Sequence, residues 1–160
     1  MMSRASQLAS IRGRKAKRAG QTFEQIIINE AYRSNLEIMR VPDGCKSTGA
    51  KSFIRIKSPF DFVLVDRSKE NTIFCDVKST QSGTFVPSLI KQHQVKELKK
   101  FSGLTKIKAG YIINFEKHSK VVFFPVTKLI ESLVTRKGLR PSDGISLGHK
   151  LQLDFRIIFQ

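Results

Sequence analysis

Cysteine, long apolar runs and acidic side chains are all scarce in this 160-residue chain, and each scarcity excludes something. The two cysteines, Cys45 and Cys75, form no CxxC pair, and His93 downstream has no matching partner. Neither a structural zinc site nor a disulfide framework is supported. No apolar run approaches the ~20 residues that cross a bilayer. The N-terminus has no apolar signal-peptide core. A cytoplasmic protein with no membrane partner is therefore expected. No internal repeat is visible either, which argues against solenoid and propeller architectures.

The shortage of acid is the first functional clue. Thirteen Asp and Glu face twenty-nine Lys and Arg, a formal net charge of +16. Such an excess repels itself in the compact state unless a polyanion relieves it. Nucleic acid fits, because neutralising phosphates releases counterions and drives binding. The excess is spread along the chain: residues 1–80 carry 15 basic and 8 acidic groups, residues 81–160 carry 14 and 5. Residues 1–20 hold Arg4, Arg12, Arg14, Lys15, Lys17 and Arg18 without an acid. That composition predicts a flexible basic arm suited to a phosphate backbone. Residues 21–160 are expected to form a single domain, since a chain of this length buries roughly 70% of its unfolded surface.

Thr22 and Gln25 have capping-box spacing ahead of Phe23, Ile26, Ile27, Ala31 and Tyr32, which predicts a helix over 22–34. A strand is expected at Leu36–Val41, a loop over the Gly-, Ser- and Lys-rich 42–52, and a strand or ordered arm at Phe53–Lys57. Phe60–Asp66 and Thr72–Ser79 are strong β runs around a polar turn. Ser88 is expected to cap a helix reaching Phe101, with Val95, Leu98 and Phe101 inward and Gly103 ending it. Ala109–Phe115 and Val121–Pro125 read as apolar strands, and Thr127–Arg136 as an amphipathic helix through Leu129, Ile130, Leu133 and Val134. Alternation at Leu151, Leu153 and Phe155 suggests a final strand. The order α-β-β-β-α-β-β-α-β predicts an α/β fold with a central mixed β-sheet flanked by helices.

The chemistry sits on the two central runs. Side chains alternate across a sheet, so Asp76 and Lys78 share one face while Ile73, Cys75 and Val77 take the other. Asp61 stands among Phe60, Phe62, Val63, Leu64 and Val65. A chain poor in acid has placed two carboxylates inside its most apolar strands. Burying an unpaired carboxylate costs several kcal/mol or raises its pKa until it neutralises. Lys78 offsets one carboxylate. A divalent metal would offset both, because Mg²⁺ favours one or two carboxylates completed by water and phosphate oxygens. A solvated Asp at a strand end, an ordinary Asp–Lys surface pair, and a Glu24 that merely suits a helix dipole are the plainer alternatives.

Glu24 on the first helix, Ser58-Pro59-Phe60-Asp61 and Phe74-Cys75-Asp76-Val77-Lys78 together resemble the PD-(D/E)xK nuclease superfamily. Within it the chain is most similar to Holliday junction resolvases of the RecU type, with the archaeal Hjc type close behind. Lys91-Gln92-His93-Gln94, the Val121–Pro125 strand, Arg136-Lys137-Gly138 and Leu153-Asp154-Phe155 extend the likeness over roughly residues 20–158. Asp76 stands where glutamate is more usual, Phe60 separates Pro59 from Asp61, and 42–57 is short beside the protruding stalk of such enzymes.

The resemblance implies a restriction-endonuclease-like core and a Mg²⁺- or Mn²⁺-dependent endonuclease that cuts four-way DNA junctions as a homodimer. It implies metal held by Asp61, Asp76 and the Val77 carbonyl, with Lys78, Glu24 and Gln94 completing the catalytic set. No small-molecule cofactor beyond the metal is expected. Phosphate contacts would come from Arg12, Arg14, Lys15, Lys17 and Arg18 of the arm and from Lys46, Lys51, Arg55 and Lys57. A self-complementary dimer patch is expected around Thr84–Val86 or the Ala109–Pro125 hairpin. Two other classes stay open: a nuclease of the same superfamily acting on flaps, forks or duplex, and a non-catalytic basic nucleic-acid-binding protein. His93, His118 and His149 are too scattered to be assigned as ligands.

Overall fold

The computed structural model describes residues 22–49 and 52–160. Helix α1 spans 22–33. Its Phe23, Ile27 and Ala31, four residues apart, lie on one face and are fully buried. Burying Phe23 and Ile27 contributes roughly 3–6 kcal/mol, which anchors the helix and hence Glu24. Tyr32, expected inward, is 64% exposed instead.

The strands are β1 Glu37–Arg40, β2 Gly44–Gly49, β3 Ser52–Ile56, β4 Phe62–Asp66 and β5 Asn71–Thr80. Helix α2 is Gln92–Lys99, followed by β6 Ile107–Phe115, β7 Lys120–Pro125 and helix α3 Val126–Thr135. The chain closes with β8 Ile145–His149, β9 Gln152–Leu153 and a 3-10 segment at Phe155–Phe159. Seven strands form one sheet in the order β1-β4-β5-β6-β7-β8-β9. Only β5 and β6 run parallel, with Asp76 opposite Tyr111 and Lys78 opposite Ile113; every other pair is antiparallel. The parallel pair requires a crossover, and α2 supplies it.

Each face of the sheet carries its own core. Ile73, Cys75 and Val77 meet α1 and the C-terminal segment through Phe23, Ile27, Ala31, Leu153, Phe155 and Ile158. Phe85, Val95, Leu98, Tyr111, Phe124 and Leu129 form the other core, against α2 and α3. The expected α/β architecture with a mixed central sheet is therefore present.

Several local expectations are corrected. Residues 44–49 are a strand rather than loop, paired with β3 in a separate two-stranded sheet. Backbone hydrogen bonds alone define such a ladder, so polar composition conceals it. Asp43 closes its base by accepting from the Ser58 N–H at 2.7 Å. Ser88 caps nothing: Pro87–Leu89 is a separate 3-10 turn, and α2 begins after Lys91 without a side-chain cap. The break at Ile90, whose extended backbone lets its side chain bury, explains the later start. Val134 is 77% exposed, because α3 buries Val126, Leu129 and Ser132. The C-terminus makes two short strands rather than one, and Leu151 points outward. The Ala109–Pro125 hairpin occupies the sheet interior, where Tyr111–Phe115 and Val121–Phe124 are already covered, so it offers no open dimer patch.

Candidate active site

Strand β4 starts too late to pair with the end of β5, Asp76–Thr80. Their register begins at Phe62 opposite Cys75, and the preceding residue, Asp61, sits at a bend. Its N–H reaches the Cys75 carbonyl at 3.1 Å, and its carbonyl accepts from the Val41 N–H at 2.9 Å. With β4 absent beyond this point, the next edge donor of β5 needs another acceptor. Asp61 Oδ2 provides it, accepting from the Val77 N–H at 2.8 Å. The side chain is thus fixed by the splaying of two strands.

Asp76 is fully buried. Its Oδ1 accepts from Gln94 Nε2, which α2 presents from its first turn. Its Oδ2 touches the Lys78 ammonium but is buried without a hydrogen bond of good geometry. Burial pushes the Asp76 carboxyl up to about 7; Lys78 opposes the rise and neighbouring Asp61 adds to it. Glu24 approaches from α1, on the opposite face, and pairs with Arg40 at 2.8 Å. Desolvation raises its pKa first, Arg40 lowers it, and Asp61 and Lys78 are both close enough to be felt. Arg40 also lies 6.0 Å from the Phe62 ring, which braces the guanidinium above β4.

Asp61, Lys78 and Gln94 line a cleft of roughly 310 Å³, with Lys57, Lys91 and His93 also on its wall. Asp43 lines it as well, and the buried Asp76 lies behind Gln94 and Lys78. Carboxylates beside lysines suit a phosphodiester, the acids to hold a cation and the lysines to meet phosphate. Among the described residues, no group of three His, Cys, Asp or Glu could hold a metal ion by itself. The carboxylate pair nevertheless suits Mg²⁺ or Mn²⁺, which draw their other oxygens from backbone, water and substrate. Asp76 Oδ2, a buried oxygen with no hydrogen bond of good geometry that already holds the Lys78 ammonium, is the observation that fits a cation best.

The structure thus brings Glu24, Asp61, Asp76, Lys78 and Gln94 together from α1, the β4 edge, β5 and α2. Of the expected phosphate-contacting residues, Lys57 lines the cleft. Arg12, Arg14, Lys15, Lys17, Arg18 and Lys51 lie outside the described residues, as do the side chains of Lys46 and Arg55. Arg40 and Tyr111 join the site from outside the expected set. Nothing in the sequence marks Arg40, whereas Tyr111 carries a signal: it is one of two tyrosines in a chain with twelve phenylalanines.

Residues 20–142 match the family described as Recombination protein U. The chain belongs to that family. The Recombination protein U match ends before β8, so the expected likeness at Leu153-Asp154-Phe155 falls outside it. Among solved structures, this family member is similar to Hjc of Archaeoglobus fulgidus, a Holliday junction resolvase from an archaeal hyperthermophile. The two share 20% identity and a TM-score of 0.53, with 79% of this chain and 95% of that chain covered, and the likeness is one of fold. A second structure, SSO0001, aligns at a TM-score of 0.37 and 13% identity, over 85% of this chain and 66% of that one. No curated protein matches the chain. Among the described residues, no helix is long and apolar enough to cross a membrane.

Proposed function

We propose that this protein is a divalent-metal-dependent DNA endonuclease that resolves four-way (Holliday) junctions by paired phosphodiester hydrolysis. The observation carrying the reading is the Asp61–Asp76–Lys78 constellation, with Asp61 and Lys78 lining a cleft that also carries Lys57 and Lys91, and with Asp76 buried against Lys78, in a chain of the Recombination protein U family. Asp61, Asp76 and the Val77 carbonyl would hold Mg²⁺ or Mn²⁺. The bound ion would lower the pKa of a coordinated water and offset charge on the scissile phosphate.

The chain's own groups do the rest. Lys78 orients the attacking water or neutralises charge building on the phosphoryl oxygens. Gln94 holds Asp76 Oδ1, so a cation would take Oδ2 and release the Lys78 ammonium that now rests there for the phosphate. Glu24, kept in place by Arg40, adds negative potential from the α1 side of the sheet. Lys57 and Lys91 meet the backbone without reading bases, which suits selection by shape.

A junction has approximate two-fold symmetry and needs two incisions in strands of like polarity. One carboxylate cluster per chain serves one scissile phosphate, so a C₂ homodimer supplies the pair. Val86 and Leu89, 44% and 46% exposed, leave the Thr84–Val86 neighbourhood open to such a contact.

The test is a panel of labelled duplex, flap, fork and four-way junction with Mg²⁺, together with light scattering. A dimer that cuts the junction symmetrically and fastest supports the reading. A monomer that nicks linear duplex equally fast would leave only a nuclease of the same superfamily, and binding without any cleavage would leave a basic DNA-binding protein.

A further inference from the structure

Tyr111 is an anomaly in its own core. Phenylalanine fills the fully buried aromatic positions at 23, 62, 85, 115, 123, 124 and 155, and the other tyrosine, Tyr32, is exposed. A buried phenol needs hydrogen-bond partners that a phenyl ring does not. Tyr111 has two: its hydroxyl accepts from the Lys91 N–H at 3.2 Å and donates to Gln94 Oε1 at 2.9 Å. Burial holds the phenol above its ordinary range, so the proton stays available for donation.

A hydroxyl with one proton already committed to Gln94 Oε1 fixes which end of that amide faces which neighbour. The amide nitrogen is then turned toward Asp76, where it donates to Oδ1. Without the phenol, the amide keeps only the bond to Asp76 to hold its orientation and loses the partner of its oxygen. The ring has a separate contact, since Lys78 Nζ lies 5.5 Å from its centroid. One β6 side chain therefore reaches both Asp76, through Gln94, and Lys78.

We infer that Tyr111 is a positioning residue: through its hydroxyl it orients Gln94, and through Gln94 it fixes the Asp76 carboxylate for cation binding. The inference rests on the proposed role of Asp76 and names a determinant of that site. Tyr111→Phe is the decisive variant, because it keeps the ring and the packing and removes only the hydroxyl; the Lys91 N–H, on an exposed residue, can turn to water.

Three readings on the full chain test it. In metal-free protein, the Gln94 side-chain amide should give ¹H–¹⁵N resonances protected from solvent exchange, and Tyr111→Phe should abolish that protection. Calorimetric titration with Mn²⁺ should show reduced affinity, by up to the ~10-fold typical of losing a ligand's own hydrogen-bond partner, here Gln94. On a junction substrate, kcat should fall while KM for DNA holds. In a Gln94→Ala background, Tyr111→Phe should cause no further loss of Mn²⁺ affinity, since its route is already cut. Unchanged Gln94 exchange, unchanged Mn²⁺ affinity, or independent additive losses in the double variant would each overturn the inference. Wild-type protein that binds Mn²⁺ and cuts no DNA would instead defeat the nuclease reading, leaving the Tyr111 result to stand on exchange and affinity.

Discussion

An ionised carboxylate at Asp76 is shut off from solvent and has one ammonium against it. An unfolded aspartate ionises near about 4, whereas Asp76 in the fold ionises at about 7. A raised acid pKa means that the folded state binds the proton more tightly. The fold is thus unpenalised below about pH 4, and the penalty grows until pH 7 and then stays constant. Asp76→Asn should accordingly raise the melting temperature of metal-free protein by several degrees at pH 8 and hardly at all at pH 4. The same variant, like Asp61→Asn, should weaken Mn²⁺ binding in calorimetry. A lower melting temperature at pH 8 would refute the burial penalty, and unchanged Mn²⁺ affinity in both variants would refute the metal-site reading. Lys78 separates chemistry from binding. Lys78→Ala should reduce single-turnover cleavage about 10²-fold or more and leave DNA affinity nearly intact, because one lysine among many cations contributes little to attraction. Full activity in that variant would make Lys78 only the counter-ion of Asp76.

At the scale of elements, sequence periodicity locates most of what positions the site. The Thr72–Ser79 alternation correctly divides Cys75 and Val77 from Asp76 and Lys78, because a two-sided core imposes period two on a strand. The place of Glu24 on an amphipathic helix is equally legible, since Phe23, Ile27 and Ala31 form one stripe. What stays hidden depends on contacts remote in sequence. The β2–β3 ladder is written in backbone hydrogen bonds, the Glu24–Arg40 pair joins a helix to a strand end, and the Tyr111–Gln94 link crosses from β6 to α2. Strand β8 is illegible because its alternation rests on Ile145 and Leu147 alone, with Gly148 following. Glycine has an opposite meaning inside β6, where a Cβ at Gly110 would stand 2.0 Å from the Phe124 carbonyl oxygen. Gly110→Ala must therefore push β6 and β7 apart. Overpacking of this kind costs about 1–3 kcal/mol, so the variant should unfold at lower denaturant; an unchanged midpoint would mean that β7 yields without cost.

At the scale of the whole molecule, charge acts first. A net charge of +16 attracts any nucleic acid, so selectivity has to come from geometry at the cleft and from assembly. DNA affinity should fall steeply with salt. Deleting residues 1–20, with their six basic side chains, should flatten the log K against log[salt] slope by about 0.9 for every phosphate that the arm neutralises. An identical slope after deletion would show that the arm neutralises none. The segment beyond residue 142, outside the family match, still contributes Leu147, Leu153, Phe155 and Ile158 to the α1-side core. Truncation there should compromise folding before it touches chemistry, and circular dichroism of such a variant would register it.

Cys75 gives that core a built-in reporter. Its thiol is fully buried, with its pKa driven well up by desolvation and by the nearby Asp61 and Asp76 charges. A thiol reagent can reach it only when β5 parts from α1, so the labelling rate in a Cys45→Ser background measures how often the strand bearing Asp76 and Lys78 opens. A ligand that binds only the closed form slows opening by mass action. Added Mn²⁺ should then protect a sulfur that never touches it, and the degree of protection would yield the ion's affinity without any DNA being cut.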